Sequence, residues 1–172
     1  HPIVQAHKAA GNKVIVIMGA RNKDLLIFED EMRALADELY IMTDDGSAGT
    51  KGLVTEPLKQ ICESQCPPAE VVAVGPPIMM KFCALTTKPF NVPTTVSLNT
   101  IMIDGTGMCG GCRVSIGGET KFVCVDGPEF DGHLVDWDNM MMRMKSFKDR
   151  EAEDLHKCRM EAQADAIAKG AK

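Results

Sequence analysis

Three short apolar runs alternate with segments of helical pattern in the first half of the chain. The runs KVIVIMGA (13–20), ELYIMT (38–43) and EVVAVG (70–75) show no polar alternation, which is typical of strands buried on both faces. Between and around them, helices are predicted over residues 2–11, 25–37, 55–62 and 78–87. This order predicts a doubly wound α/β domain with a parallel sheet, whose ligands bind beyond the carboxyl ends of the strands.

Composition excludes several classes of protein. With 172 residues, 45% hydrophobic and 25% charged, the chain is long enough for one or two small domains. A formal charge of −5 and an aromatic content of 5% speak against nucleic-acid binding. No apolar run approaches the roughly 18 residues of a membrane helix. Seven cysteines with no signal peptide before them predict a reducing, cytoplasmic setting and thiols used for metal or redox chemistry.

Three loops follow the predicted strands, at the edge where ligands of a parallel sheet bind. Their candidate cofactor-binding residues are Gly19, Arg21, Asp44, Asp45, Gly46, Ser47, Gly75 and Pro76. Asp44 and Asp45 can accept hydrogen bonds from ribose hydroxyls and would repel a 2′-phosphate, which favours NAD(H) over NADP(H). Arg21 could pair with a pyrophosphate. The alternatives are an Asx turn at the aspartates and a merely exposed arginine.

The segment from Asp104 to Cys124 combines glycines with three cysteines. Cys109 and Cys112 form a C-x2-C pair, and a β-hairpin predicted over 114–125, turning at Gly117-Gly118, would return Cys124 to that pair. Plant-type [2Fe–2S] proteins have the spacing C-x4-C-x2-C, and here Asp104 stands where the first of those cysteines would be. Since a carboxylate can ligate iron and glycine amides can donate to sulfide, we expect a [2Fe–2S] cluster held by Asp104, Cys109, Cys112 and Cys124.

Two alternatives remain open for this segment. Structural zinc accepts three thiolates and a carboxylate, although zinc sites usually contain two C-x2-C pairs. The cysteines could also carry no metal or form a disulfide. The other cysteines are expected to be ordinary thiols, with Cys83 in the core. Three scattered histidines are expected at the surface: His7, His133 and His156.

Changes in composition divide the chain into three predicted parts. Residues 1–90 form the α/β domain, which would lack a complete G-x-G-x-x-G loop. Residues 91–134 form a small β-hairpin module around the cysteines, and residues 135–172 form a charged helical tail rich in methionine. Because the chain opens with His1 inside a predicted helix, we expect it to be part of a longer protein.

Two sets of motifs carry a family resemblance over nearly all of the chain up to about residue 150. Gly19-Ala20-Arg21 with Asp24-Leu-Leu, TDDGSAGTKGLVT (43–55) and VGPPIMM (74–80) resemble the pyridine-nucleotide half of the ferredoxin–NADP reductase superfamily. MIDGTGMCGGCR (102–113) with FVCVDGPEFDG (122–132) is similar to the small electron-transfer subunits of NADH-dependent reduced ferredoxin:NADP oxidoreductases, also called sulfide dehydrogenase beta subunits. The electron-transfer subunits of dihydroorotate dehydrogenase are more distant relatives.

This resemblance implies an N-terminal barrel that binds FAD, an α/β domain that binds NAD(H) and a C-terminal loop that holds a [2Fe–2S] cluster. Asp104, Cys109, Cys112 and Cys124 would be its ligands; Asp44, Asp45, Gly46 and Gly75 would line the nucleotide site. It also implies electron transfer between NAD(H), FAD, the cluster and a larger flavo-iron–sulfur subunit. The FAD barrel does not occur in the sequence, so we expect the chain to be inactive alone. The alternatives are a zinc-stabilised nucleotide-binding or interaction module, and a dihydroorotate dehydrogenase electron-transfer subunit.

Overall fold

The computed structural model describes residues 1–170, with side chains described as far as residue 163. The chain divides into two compact units. The first comprises His1–Ser97 and returns at Asp131–His133, and the second comprises Leu98–Phe130 with the chain from Leu134 onward. The three-part division with boundaries after residues 90 and 134 stays a prediction.

The first unit alternates helices and strands in the predicted order. Its elements are α1 (Pro2–Ala9), β1 (Ile15–Ala20), α2 (Glu29–Leu35), β2 (Glu38–Thr43), β3 (Thr50–Lys51), α3 (Thr55–Cys62), β4 (Val71–Ala73), α4 (Pro77–Thr87) and β5 (Thr94–Ser97). Strand β2 has the predicted bounds, whereas the two-residue strand β3 was not predicted from the sequence. The predicted α/β class with parallel strands is confirmed.

The strands of this unit form two small sheets. Strands β1, β2 and β3 lie side by side and are parallel, with Ala20 opposite Thr43 at the carboxyl ends of the first two. Strands β4 and β5 form a second parallel pair. The end of a later strand, β8 (Glu129–Asp131), reaches this pair, and the amide of Gly132 donates to the carbonyl oxygen of Thr94 at 2.7 Å. The parallel strands therefore present two carboxyl edges, each followed by a loop with candidate residues.

Helices α3 and α4 supply much of the core of the first unit and pack against each other. The buried residues of α4 are Met80, Cys83, Ala84 and Thr87, a spacing that puts them on one helix face. Burial raises the pKa of the Cys83 thiol to about 11, and this cysteine is a core residue as predicted.

The helix predicted over residues 25–37 is shorter in the structure. A 3₁₀ turn covers Lys23–Leu25, and α2 begins only at Glu29. Phe28 precedes it with φ +59°, a left-handed conformation that a bulky residue rarely adopts, so the helical hydrogen bonds cannot run through it. The apolar spacing that predicted one helix carries no information about the left-handed conformation of Phe28.

His133 is part-buried, with a side chain 18% exposed, and it is less exposed than expected because it is hydrogen-bonded to the buried Thr87. Its Nε2 is 2.9 Å from the hydroxyl oxygen of Thr87, which is itself 2.5 Å from the hydroxyl oxygen of Thr94. Thr87 is fully buried, and Thr94 is 2% exposed. Polar groups without water must find partners in the protein, and here the three side chains satisfy one another.

The second unit is built around a hairpin and two consecutive helices. Its elements are β6 (Arg113–Ile116), β7 (Glu119–Phe122), α5 (Val123–Asp126), α6 (Trp137–Met144), a 3₁₀ turn (Lys145–Phe147) and α7 (Lys148–Gly170). The hairpin turns at Gly117 and Gly118, as predicted, with φ values of +58° and +86°. Buried residues of this unit include Leu98, Val114, Val123, Val135, Trp137 and Met140.

Two predicted bounds in the second unit differ from the structure. Strand β7 ends at Phe122, so Cys124 lies on a short helix rather than on the second strand of the hairpin. The C-terminal helical segment begins at Trp137, and its last two predicted residues, 171 and 172, lie outside the described part of the chain. Within residues 1–170 no helix combines the length and the apolar character needed to cross a bilayer.

Candidate metal centre and nucleotide site

Cys112 and Cys124 form the first pair of candidate ligands. Cys112 lies directly before β6 and is 1% exposed, and Cys124 lies on α5. The hairpin returns the chain so that the amide of Val123 donates to the carbonyl oxygen of Cys112 at 3.2 Å. The two Sγ atoms are 3.2 Å apart, and both thiols are free. The hydrogen bond with Cys112 raises the pKa of the Cys124 thiol, and burial raises it further. A metal that binds here must therefore displace a proton.

Asp104 and Cys109 form the second pair. Oδ1 of Asp104 accepts the amide hydrogen of Thr106 at 2.9 Å, and Oδ2 accepts that of Cys109 at 2.8 Å. These hydrogen bonds lower the pKa of the Asp104 carboxyl, and the one from Thr106 has the largest effect. The carboxylate is thus ionised and fixed beside Cys109, while Cys109 itself is exposed.

Glycines allow the loop between these pairs to turn tightly. Gly107 and Gly110 have φ values of +83° and +65°, a region that residues with a side chain rarely adopt. The amide of Gly111 donates to Sγ of Cys109 at 3.4 Å. Such N–H groups directed at sulfur are what an iron–sulfur loop requires, because cluster sulfurs carry negative charge.

The donors form two pairs: Asp104 with Cys109, and Cys112 with Cys124. Among the described residues, no group of three or more His, Cys, Asp or Glu side chains is arranged to hold a single metal ion. A structural zinc needs four ligands around one ion, whereas the two irons of a [2Fe–2S] cluster can each take two protein ligands. Asp104 with Cys109 and Cys112 with Cys124 are therefore the two donor pairs that a bound cluster could use.

Two arginines that the sequence did not single out contact the glycine loop. Nη1 of Arg113 donates to the carbonyl oxygen of Gly110 at 3.1 Å, and Nη2 of Arg143 donates to that of Gly111 at 3.4 Å. Arg113 directly follows Cys112, which is the only sequence signal for its position. Arg143 comes from α6, and no local motif connects it to the loop.

Exposed apolar side chains surround the candidate ligands in sequence. Met108, next to Cys109, is 89% exposed, and Ile103, next to Asp104, is 73% exposed. Met102 and Val125 are also about half exposed. A contiguous exposed apolar patch is typical of an interaction site, and these four side chains are candidates for such a patch.

The pairing of β1 with β2 brings two of the predicted nucleotide loops together. The amide of Asp44 donates to the carbonyl oxygen of Ala20 at 3.1 Å, and that of Asp45 donates to Arg21 at 3.3 Å. Oδ1 of Asp45 accepts both the hydroxyl and the amide of Ser47, and these bonds lower the pKa of Asp45. The Asx turn is therefore present at Asp45, and the carboxylate of Asp44 lies exposed beside it.

The remaining predicted nucleotide residues have mixed surroundings. A Cβ at Gly19 would collide with the branched side chain of Val54, whereas one at Gly75 would meet only the flexible end of Met79, which can move aside. Arg21 is exposed, and Gly46 has φ +79° in the turn after β2. Gly75 and Pro76 follow β4, which belongs to the other sheet.

Comparison with known proteins identifies what the chain is similar to. Residues 99–136, which contain all four candidate ligands, match the iron–sulfur cluster binding domain of dihydroorotate dehydrogenase B. The dihydroorotate dehydrogenase B (NAD(+)) electron transfer subunit homolog of Thermotoga maritima is 50% identical over 152 residues, which are 88% of this chain and 53% of that protein. Over most of its length the chain is thus similar to about half of such an electron-transfer subunit.

Two further proteins are similar to most of this chain. A protein from the adh 3′ region of Clostridium beijerinckii is 51% identical over 152 residues, which are 88% of this chain and 51% of that protein. The fold is similar to a chain in the structure of NADH-dependent reduced ferredoxin–NADP oxidoreductase, solved for insight into flavin-based electron bifurcation. That match has a TM-score of 0.78 and 46% identity, and covers 91% of this chain and 56% of the other. The chain thus spans about half the length of the relatives it matches, and the predicted resemblance is confirmed.

Proposed function

We propose that this chain is the nucleotide- and cluster-binding part of an electron-transfer subunit that serves a larger flavo-iron–sulfur partner. The proposal rests on the four candidate ligands, which lie as two pairs in and beside the glycine loop. Cys112 and Cys124 are 3.2 Å apart, and Asp104 is hydrogen-bonded to the backbone of Cys109. All seven cysteines are free, which supports a reducing, cytoplasmic location.

Asp104, Cys109, Cys112 and Cys124 would hold a [2Fe–2S] cluster, which when bound supplies transfer of single electrons. The chain's own contribution is to order these ligands before binding. The amides of Thr106 and Cys109 fix the Asp104 carboxylate, and the hairpin brings Cys124 to Cys112. Burial of Cys112 keeps water from one side of the site.

Asp44 is the residue we propose for recognition of NAD(H). Its carboxylate is exposed after β2, while the carboxylate of Asp45 is already occupied by Ser47. Asp44 would therefore accept the ribose hydroxyls, and Asp45 would hold the turn that presents it. FAD would be held by the part of the intact subunit that these residues do not match.

The exposed apolar residues beside the ligands support a docked partner. Met108 and Ile103 would lie against the larger subunit, which would exclude water from the path of the electron. Two partners are compatible with the comparisons: a dihydroorotate dehydrogenase, named in the matching domain family, and a ferredoxin–NADP oxidoreductase, named in the matching structure. We favour the second, because the motifs at residues 102–113 and 122–132 resemble those of its small subunit.

The cluster is tested by purifying the full chain without air and measuring iron, acid-labile sulfide and visible absorption. About two irons per chain, a red-brown colour and an EPR signal after reduction support the proposal. Colourless protein with one zinc per chain would contradict it. Asp104→Cys should retain iron but change the reduction midpoint, and a midpoint equal to the parent's would remove Asp104 from the ligand set.

The nucleotide site is tested by calorimetric titration of NADH and NADPH into the full chain. Asp44→Asn should weaken NADH binding about tenfold or more, because two charge-assisted hydrogen bonds are lost. Glu31→Gln removes an exposed carboxylate from α2 in the same unit and serves as the control. Equal affinities of the parent and Asp44→Asn would contradict the proposed role of Asp44.

A further inference from the structure

One peptide group in the cysteine loop is held from both sides. Its carbonyl oxygen, on Gly110, accepts Nη1–H of Arg113 at 3.1 Å. Its N–H, on Gly111, donates to Sγ of Cys109 at 3.4 Å. Because a planar trans peptide directs C=O and N–H to opposite sides, a side chain that fixes the carbonyl also aims the N–H. Arg113 thus holds the amide that faces the sulfur.

The next peptide group along the loop is held by a second arginine. The carbonyl oxygen of Gly111 accepts Nη2–H of Arg143 at 3.4 Å. Arg143 is carried by α6, whose first turn is anchored by buried Trp137 and capped by Asp136, so the guanidinium comes from a fixed element. Arg113, Arg143 and Gly111 border the same small cavity in this unit.

The backbone of the loop supplies one long contact at this peptide, from the amide of Arg113 to the carbonyl oxygen of Gly110 at 3.4 Å, and the guanidinium groups add to it. Gly110 and Gly111 carry no side chains, and Gly110 has φ +65°, so their backbone is intrinsically free to reorient. Each arginine supplies a charged donor to one carbonyl. A charged donor at the carbonyl also polarises the peptide and strengthens the N–H at its other end.

We propose that Arg113 and Arg143 are positioning residues that hold the Gly110–Gly111 backbone beside the sulfur of Cys109 and raise the reduction potential of the cluster. The inference rests on the proposed function, since it requires Cys109 to ligate iron. Amide hydrogen bonds to a ligand sulfur, and positive charge near it, stabilise the more negative reduced state. Removing either guanidinium should therefore favour the oxidised state.

The experiment is an EPR-monitored redox titration of the full chain, reconstituted without air with iron and sulfide. The variants are Arg113→Gln, Arg143→Gln, Arg113→Lys and Arg143→Lys, and Lys145→Gln is the control because it removes one exposed positive charge from the same unit. Iron content and thermal melting are measured first for every variant. Both glutamine variants should have a lower midpoint than the parent, and each lysine variant should lie between the parent and its glutamine partner, since the ammonium keeps the charge but not the forked geometry.

The outcomes separate this inference from the proposed function. If the parent binds no iron, the proposed function fails and the inference fails with it. If the parent and the variants bind iron but the glutamine variants share the midpoint of Lys145→Gln, the positioning role is refuted and the proposed function stands. If a glutamine variant does not retain iron, its lysine partner carries the test, and a lysine midpoint equal to the parent's refutes the role of that arginine.

Discussion

Sγ of Cys112 lies 3.2 Å from Sγ of Cys124, although the two residues are twelve positions apart. The hairpin accounts for this contact, because Arg113 pairs with Phe122 at its open end and the residues beyond that pair continue side by side. Its length therefore fixes which cysteine meets Cys112. A hairpin two residues longer or shorter would shift Cys124 along the strand direction by several ångströms.

Cys112→Ser and Cys124→Ser should each lose most of the bound iron, because each removes one of the two paired thiolates. Iron per chain and visible absorption after anaerobic reconstitution measure the loss. Cys158→Ser is the matched control, since Cys158 is exposed on α7. Iron retained by both Cys112→Ser and Cys124→Ser, or lost equally by the control, would contradict this ligand pair.

Gly107→Ala should destabilise the second unit more than Gly118→Ala. Both glycines have left-handed φ values, +83° and +86°, so both substitutions cost roughly 1 kcal/mol or more in backbone strain. A Cβ at residue 107 would also stand 2.9 Å from a methyl of Val125, whereas nothing lies within 4 Å at residue 118. Urea denaturation should show an additional loss of roughly 1 kcal/mol for Gly107→Ala, and equal losses would mean that Val125 moves aside freely.

Local sequence patterns predicted the parts of the structure that local physics determines. The strand β2, the helix α3 and the turn at Gly117-Gly118 follow from apolar runs and from residues that tolerate positive φ. The four candidate ligands were found because their spacing is a motif, and residues 99–136 match a cluster-binding domain.

What the sequence did not predict depends on contacts between distant residues. Arg143 reaches the carbonyl oxygen of Gly111 across 32 positions, and His133 reaches Thr87 across 46. No local pattern encodes either pair, since each requires the fold to be complete before the partners meet. Asp45 shows a different limit of sequence-based prediction. Aspartate is favoured at this position both by a turn and by a nucleotide site, and the sequence cannot separate the two roles. The hydrogen bond from Ser47 shows that the carboxylate of Asp45 holds the turn.

Thr87→Val should destabilise the first unit by about 1–3 kcal/mol, because it leaves buried polar groups of Thr94 and His133 without their hydroxyl partner. Valine fills the same volume, so packing is retained. Thr86→Val is the control: its hydroxyl donates to the carbonyl of Phe82 at an exposed position, and its loss should stay within about 0.5 kcal/mol. Urea denaturation of both variants gives the comparison, and equal losses would mean that the buried cluster adds nothing.

The stability contributed by Asp37 should depend on pH in the acid range. Its carboxylate accepts Nζ–H of Lys8 at 2.8 Å and the amide hydrogen of Val14 at 2.7 Å. These hydrogen bonds hold the pKa of Asp37 below its ordinary value of 3.8, and the one from Lys8 has the largest effect. A group whose pKa is lower in the folded state stabilises the protein fully above its unfolded pKa. That contribution is lost as the pH falls through the folded value.

Asp37→Asn should therefore melt at a lower temperature than the parent at pH 7, and the difference should shrink as the pH falls below about 4. Asparagine keeps an acceptor for Val14 but loses the charge that attracts Lys8, so the pH-dependent part of the difference reports the ion pair. Lys8→Met removes the other partner of the ion pair. The difference between its melting temperature and that of the parent should also shrink over the same pH range. Melting curves by circular dichroism from pH 7 to pH 3 make the measurement. A difference that stays constant across this range would show that the carboxylate acts only as a neutral hydrogen-bond acceptor.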